Sequence, residues 1–224
     1  MRIGILGSGL MGGKLGTIFA RAGHEVVFSY SHSKSKLEKL ARDSGGQARA
    51  GTPAEAAKDA DAVLLAVHWS RVDDVLKKAG DLTGKVVISC SLPMNADDTG
   101  LVISNTWSGA EELAKKIPKA PLVAAFGTVP SEVLFAVFEK AGSGKGEEGS
   151  GKRPSLVYCG ENARAKKVAA QLIRDVGFEP IDVGPLKIAR YTEPFTLLVA
   201  QMAYEGDRGA AMAYSFEWFE EREG

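Results

Sequence analysis

The chain has 224 residues, enough for one domain or two small ones, and a core of this size needs no covalent or metal staple. Its 28 basic and 28 acidic residues give a formal net charge of zero, which argues against a dedicated nucleic-acid or membrane-surface protein. Cys90 and Cys159 both lie in apolar runs, so buried reduced thiols are expected rather than a disulfide. No targeting signal or 18-residue apolar span is read, so a cytoplasmic protein with no membrane partner is expected.

The opening stretch is the most informative. Ile3, Ile5 and Leu6 suit a buried parallel strand, and Gly7, Gly9 and Gly12 follow at G-x-G-x-x-G spacing. In such a turn the first glycine permits the tight bend, the second lets backbone approach a pyrophosphate, and the third lets helix and strand pack closely. The helix start then offers N–H groups and about half a positive charge to a diphosphate. Leu15, Ile18, Phe19 and Ala22 repeat at helical spacing, Gly23 ends the helix, and a second strand is predicted over 25–28. Gly7, Ser8, Gly9, Leu10 and Met11 are therefore the expected diphosphate contacts.

A strand exit follows at Ser31, His32 and Ser33. An NAD-preferring fold usually places a carboxylate about 20 residues after the glycines, where it bonds the ribose 2′-OH. Here no acid stands before Glu38, while hydroxyls, a histidine and two lysines can bind a phosphate. NADP(H) is the cofactor these residues favour, with Ser31, His32 and Ser33 as its 2′-phosphate contacts. The same residues could also do no more than cap the next helix, predicted over 36–43.

A short third strand is expected over 47–50, and Thr52-Pro53-Ala54-Glu55 reads as a capping box opening a helix at Pro53. The run 62–67 suits a central strand covered on both faces. Ligands in open α/β sheets lie beyond strand carboxyl ends, so Ala66, Val67 and His68 are expected along the cofactor path. His68 is either an acid–base group or a packed loop histidine. Strands over 85–89 and 122–126, with a helix over 110–117 between them, continue the alternation of a doubly wound parallel sheet. The long connection after the fifth strand is a natural place for substrate contacts.

Residues 139–155 are rich in Gly, Lys, Glu and Ser and read as a mobile surface loop. Within it Gly146 to Arg153 superficially suggests a phosphate loop, but Arg153 replaces the metal-binding hydroxyl and Pro154 stops the helix. A strand over 156–160, a helix with Ala165, Ala169, Leu172 and Ile173 on one face, and a strand over 180–183 follow. Residues 187–219 read as mostly helix-compatible, with Pro194 as a kink or a new start. Tyr204, Tyr214, Phe216, Trp218 and Phe219 are too apolar for water, so they close the second lobe or cover a partner; a homodimer is expected. His24, His32 and His68 are scattered and no Cys-x-x-Cys occurs, so no metal site is expected. The organisation expected is a Rossmann-type domain over 1–140, a Gly-rich loop over 141–154, and a smaller α/β lobe over 155–224 ending in helix.

The ordered series of motifs resembles the deazaflavin-dependent NADP oxidoreductase family, whose usual partner is the 5-deazaflavin coenzyme F420. It comprises the glycine turn closed by Gly23-His24-Glu25, His68-Trp69, Ser91-Leu92-Pro93, Thr128-Val129-Pro130, Gly160-Glu161-Asn162, and Ile181 to Leu186 with Arg190 and Glu193 beyond. The resemblance implies a hydride-transfer enzyme using NADP(H), with a deazaflavin or flavin as second substrate. It places Ser91, Leu92, Pro93, Gly127, Thr128 and Val129 along the cleft for that small-molecule acceptor. Gly127 stands where a histidine is expected and His32 where an arginine is frequent, changes that alter the acceptor pocket and leave a partly charged cation near neutral pH. Ring-to-ring transfer requires no obligatory acid, and no catalytic residue is assigned. The opening glycines also resemble those of β-hydroxyacid dehydrogenases and imine reductases. Reduction of a small carbonyl, imine or ferric chelate, and NADP(H) sensing without turnover, are the alternatives.

Overall fold

The computed structural model describes residues 1–142 and 152–219. Eight strands form one sheet in the order β3-β2-β1-β4-β5-β6-β7-β8. They are β1 (Arg2–Leu6), β2 (Glu25–Ser29), β3 (Gln47–Ala50), β4 (Ala62–Leu65), β5 (Val86–Ser89), β6 (Leu122–Ala124), β7 (Ser155–Gly160) and β8 (Glu179–Asp182). Neighbours from β3 to β6 are parallel, β7 pairs antiparallel with β6, and β8 runs parallel to β7. The eight-stranded α/β sheet agrees with the Rossmann-type class expected, with the last two strands reversed. The reversal is set by the pairing of β7 with β6, Val123 against Gly160 and Ala124 against Cys159, which no local pattern encodes.

The helices are α1 (Leu10–Arg21), α2 (Lys34–Ser44), α3 (Pro53–Lys58), α4 (Val72–Ala79), α5 (Gly109–Lys116), α6 (Leu134–Gly142), α7 (Ala163–Val176) and α8 (Ala189–Tyr204). Each central strand is buried on both faces, as its unbroken apolar run requires. One core layer joins Leu15, Ile18 and Phe19 of α1 to Leu172 and Ile173 of α7 through Ile3, Leu64 and Val123. The layer on the other face gathers Val72 and Val75 of α4, Leu113 of α5 and Ala189 of α8 under Leu6, Leu65 and Val87.

Local signals for helix starts are realised. Thr52 and Glu55 form the reciprocal capping box, with Pro53 in the first turn. Ser33 caps α2 by accepting from the Lys36 N–H at 3.3 Å, so that helix begins at Lys34 rather than at the expected Lys36.

Three further expectations differ from the structure. Residues 139–142, read as the start of a mobile loop, complete α6, because Val137 and Ala141 lie against Gly177 beyond α7. Ser155 is already in β7, and residues 143–151, with most of the phosphate-loop resemblance, lie outside the described residues. Helix α8 runs through Pro194 without a new start but ends at Tyr204. Residues 205–219 carry no regular helix or strand, and the aromatic tail expected to be helical is a strap instead.

Tyr214 anchors this strap. Its carbonyl accepts from the Ser155 N–H at 2.7 Å, its hydroxyl pairs with Thr128 Oγ1 at 2.8 Å, and its ring meets Phe195 edge-on at 5.2 Å. The Phe216 N–H donates to Ser155 Oγ at 2.9 Å. Hydrogen bonds to β7 thus replace the intrahelical ones that Gly206 and Gly209, the latter at φ +77°, disfavour. Trp218 and Phe219 remain exposed.

Candidate functional site

The parallel strands β1, β2, β4, β5 and β6 end at one edge, and the expected contacts collect there. Gly7 adopts φ +112°, and a Cβ on it would lie 2.3 Å from the Ala66 carbonyl oxygen. The turn is therefore pressed against the exit of β4, which brings Ala66 and Val67 beside the glycines. A Cβ on Gly12 would lie 1.9 Å from the Gly7 carbonyl oxygen, so helix and turn meet at backbone distance. A Cβ on Gly9, by contrast, would meet nothing within 4 Å. Gly9 provides no side-chain cap to α1, so the first-turn amides of Leu10 and Met11 keep their donors for a ligand. Those donors beside an open space over Gly9 fit a diphosphate. Ser8 is nearly buried and its hydroxyl donates to the Ser29 carbonyl at 2.9 Å, tying the turn to β2.

Two non-glycine residues at strand exits hold positive φ, Tyr30 at +58° after β2 and Phe126 at +65° after β6. Such backbone costs of order 1–3 kcal/mol and persists where packing enforces it. Phe126 is fully buried, and the Tyr30 hydroxyl donates to Asp74 at 2.7 Å. Burial, with the Asp74 charge beside it, pushes the Tyr30 phenol up to about 12.

Beyond β2 and β3 lies a cavity of about 950 Å³ that Ser31 lines. Lys34, Arg42, Arg49 and Lys78 surround it, against the carboxylates of Glu38 and Glu55. Glu55 already accepts from the Thr52 backbone and hydroxyl. The balance at this edge is basic, which suits a 2′-phosphate. Arg42, Arg49 and Lys78 escape a sequence reading because they come from the end of α2, from β3 and from α4. His32 is exposed on the connecting turn, Ser33 Oγ is engaged in capping α2, and Ser31 Oγ accepts weakly from the Ser33 N–H at 3.4 Å. A second groove of about 500 Å³ runs along Ser8, Gly9 and Leu10 towards Lys14 and Lys36.

Both His68 ring nitrogens have local partners. Nδ1 pairs with Ser70 Oγ at 2.8 Å, and Nε2 lies 3.3 Å from the Asn95 carbonyl and 3.2 Å from Asp98. The side chain thereby ties the β4 exit to the 95–98 loop. Ser91 joins β4 to β5, accepting from the Val67 N–H at 3.2 Å.

Ser91, Leu92, Gly127 and Thr128, four of the six expected acceptor-cleft residues, line one cavity between the β5 and β6 exits and α8. Pro93 is buried against Gly109 and Val129 belongs to the core, so those two support the cleft from behind. The cavity's other wall was not read from sequence: Thr192, Glu193 and Thr196 of α8, with Cys90. Glu193 is 5% exposed and accepts from the Gly109 N–H at 2.8 Å and the Ala110 N–H at 2.9 Å, at the start of α5. Burial pushes its carboxyl up to about 7, against the lowering effect of those two N–H groups and with help from the nearby Glu111 charge. Arg190 is committed elsewhere, forking onto Glu111 at 2.8 and 2.6 Å and holding that carboxyl below its usual range. Burial pushes both thiols, Cys90 and Cys159, up to about 12. No group of three potential metal ligands occurs among the described residues. Nor is any helix among them long and apolar enough to cross a membrane.

Residues 2–93 match the family described as NADP oxidoreductase, coenzyme F420-dependent, the resemblance its motifs carry. The rat metalloreductase STEAP3 is 26% identical over 196 residues, 88% of this chain but 36% of its own length. The chain thus spans about a third of that curated relative. A crystal structure from Arthrobacter sp. FB24, described as an F420-dependent NADP-reductase, superposes with a TM-score of 0.82 at 22% identity, covering 97% of this chain and 100% of the other. The reductive aminase of Aspergillus terreus, solved with NADPH, gives a TM-score of 0.63 at 15% identity over 89% of this chain and 60% of that one. These similarities show a Rossmann-like fold and, over residues 2–93, a match to the NADP oxidoreductase model. They leave the acceptor open.

Proposed function

We propose that this chain binds NADP(H) and transfers hydride between it and a flavin-type ring, a deazaflavin or a flavin. The observation that carries the reading is the open glycine turn at α1 lying next to an exit of β2 where four basic side chains outnumber two carboxylates. The amides of Gly9, Leu10 and Met11 hold the diphosphate, and Ser31 and His32, with Lys34 and Arg49 behind them, hold the 2′-phosphate. When bound there, the nicotinamide supplies a hydride from its C4. The protein's task is to align two rings beside Val67, Ser91 and Gly127 and to exclude water. Gly127 leaves its place open, since a Cβ there would find only ordinary contacts with Leu92 and the Cys90 carbonyl, the nearest at 3.5 Å.

A panel of acceptors tests the reading: a 5-deazaflavin, FMN, ferric chelates and small imines, each with NADPH and with NADH. NADPH is expected to bind at least tenfold more tightly than NADH, and His32→Ala to narrow that preference several-fold. Equal use of the two coenzymes overturns the 2′-phosphate assignment. Ferric chelate reduction is the second reading, favoured by the similarity to a metalloreductase along most of this chain. Binding of NADPH with no acceptor-dependent oxidation would instead indicate a sensor.

A homodimer is proposed through a different surface. Tyr191, Leu198 and Met202 form an exposed apolar stripe on α8 at helical spacing. Leu198→Asp combined with Met202→Asp is expected to give a monomer in light scattering at micromolar concentration, where the parent is dimeric. A parent that is itself monomeric refutes the dimer.

A further inference from the structure

The small cavity behind Ser91, Leu92, Gly127 and Thr128 contains a carboxylic acid to which the proposed hydride transfer gives no role. Glu193 shares its cavity with the hydroxyl-bearing Ser89, Ser91, Thr128, Thr192 and Thr196. The volume open to a water-sized body is about 20 Å³. That is room for roughly one water molecule, and such a water needs two to four polar partners, which these side chains supply.

We propose that Glu193 is the proton relay of the reaction, passing a proton through this hydroxyl-lined cavity to the acceptor as it is reduced. The inference rests on the hydride-transfer reading above. Reduction of a flavin-type ring by a hydride leaves the ring one proton short, and the balanced step is NADPH, acceptor and one proton giving NADP⁺ and the protonated reduced acceptor. Glu193 releases that proton from a carboxyl oxygen, breaking its O–H bond as a new N–H bond forms on the ring by way of the cavity's hydroxyls or water. The carboxylate left behind takes up a proton from solvent.

The surroundings suit this task. At the start of α5, Ser108 Oγ accepts from the Glu111 N–H at 3.1 Å, while the two oxygens of Glu193 take the Gly109 and Ala110 N–H groups, which fixes the carboxyl at the cavity wall. The charged and titratable groups around Glu193 leave it a usable acid. On α5, Glu111 disfavours its ionisation. On α8 itself, Arg190 is held by Glu111. After β5 and on β7, Cys90 and Cys159 are thiols pushed too high to exchange protons near neutrality. The two N–H groups of α5 then stabilise the carboxylate after release, and burial draws the proton back.

Two measurements decide the matter. In the protein without coenzyme, infrared titration of the wild type is expected to show the C=O band of a protonated carboxylic acid disappearing with a midpoint near neutral pH, a band missing from Glu193→Gln. In single-turnover experiments with NADPH and FMN, formation of the reduced acceptor is expected to fall tenfold per pH unit above that midpoint. Glu193→Gln should lower the rate about 100-fold and abolish the limb while binding NADPH within twofold of the parent. Should the glutamine variant fail to fold, Glu193→Asp is expected to keep the limb at a shifted midpoint. The relay is overturned if the band is absent from the wild type, or if the limb survives in Glu193→Gln. Wild type that binds no NADPH overturns the hydride-transfer reading itself, and a neutral-pH carboxyl midpoint would then report only a buried acid.

Discussion

Gly9→Ala is expected to weaken NADPH binding about 100-fold while leaving the folded protein intact, and Gly12→Ala to do the reverse in order of cause. At Gly9 an added methyl meets nothing within 4 Å, and φ is −79°, so the cost to the fold is under about 1 kcal/mol. The same methyl occupies the space a diphosphate needs to approach the amides of Leu10 and Met11, so the loss appears in binding. At Gly12 the methyl would lie 1.9 Å from the Gly7 carbonyl oxygen, and neither backbone segment can yield without separating α1 from β1. Overpacking of that kind costs about 3 kcal/mol, which moves the denaturation midpoint before it moves affinity. Calorimetry with NADPH, beside urea denaturation of each variant, separates the two. Unchanged affinity in a folded Gly9→Ala protein would mean the coenzyme is not held at this turn.

Stability is expected to fall as pH rises from 5 to 8, by about 2.5 kcal/mol, through Glu193 alone. Its ordinary value of 4.5 is pushed up to about 7 in the folded protein, chiefly by burial. Between those values the native state holds a proton that the unfolded chain has released, so each step upward in pH favours unfolding. The stabilisation is complete below the unfolded value and lost once pH passes the folded one. Glu111 works in the opposite direction, because its Arg190 partner lowers its value, and its contribution disappears only in acid below the usual carboxylate range. From these two groups, stability is expected to be greatest near pH 5. Urea midpoints at pH 5 and 8 test this, with Glu193→Gln expected to flatten the difference to under about 1 kcal/mol. A parent equally stable at both values would show that Glu193 ionises as an ordinary surface carboxyl does.

What the chain encodes locally was legible in advance. The glycine turn, the helix it opens, the capping box at Thr52 and the double-sided burial of β1, β4 and β5 all depend on residues within a few positions of one another. Backbone sterics and hydrophobic periodicity act at that range. The lack of an acid after β2 was likewise visible, and the proposal of a 2′-phosphate there starts from it.

Tertiary structure alone decided the rest. The carboxyl of Glu193 meets the start of α5 across 84 residues, and the Tyr214 hydroxyl meets Thr128 across 86. Neither approach leaves a periodic or motif signal, because each is produced by strand order and by the reversal of β7. For the same reason Arg49 and Lys78 join the β2 exit only once β3 and α4 are in place, and the aromatic tail, helix-compatible by composition, is drawn out along β7. A sequence specifies which elements form through neighbours that share a turn of helix or a face of a strand. Which acid faces which cleft is settled by the packing of elements far apart in the chain.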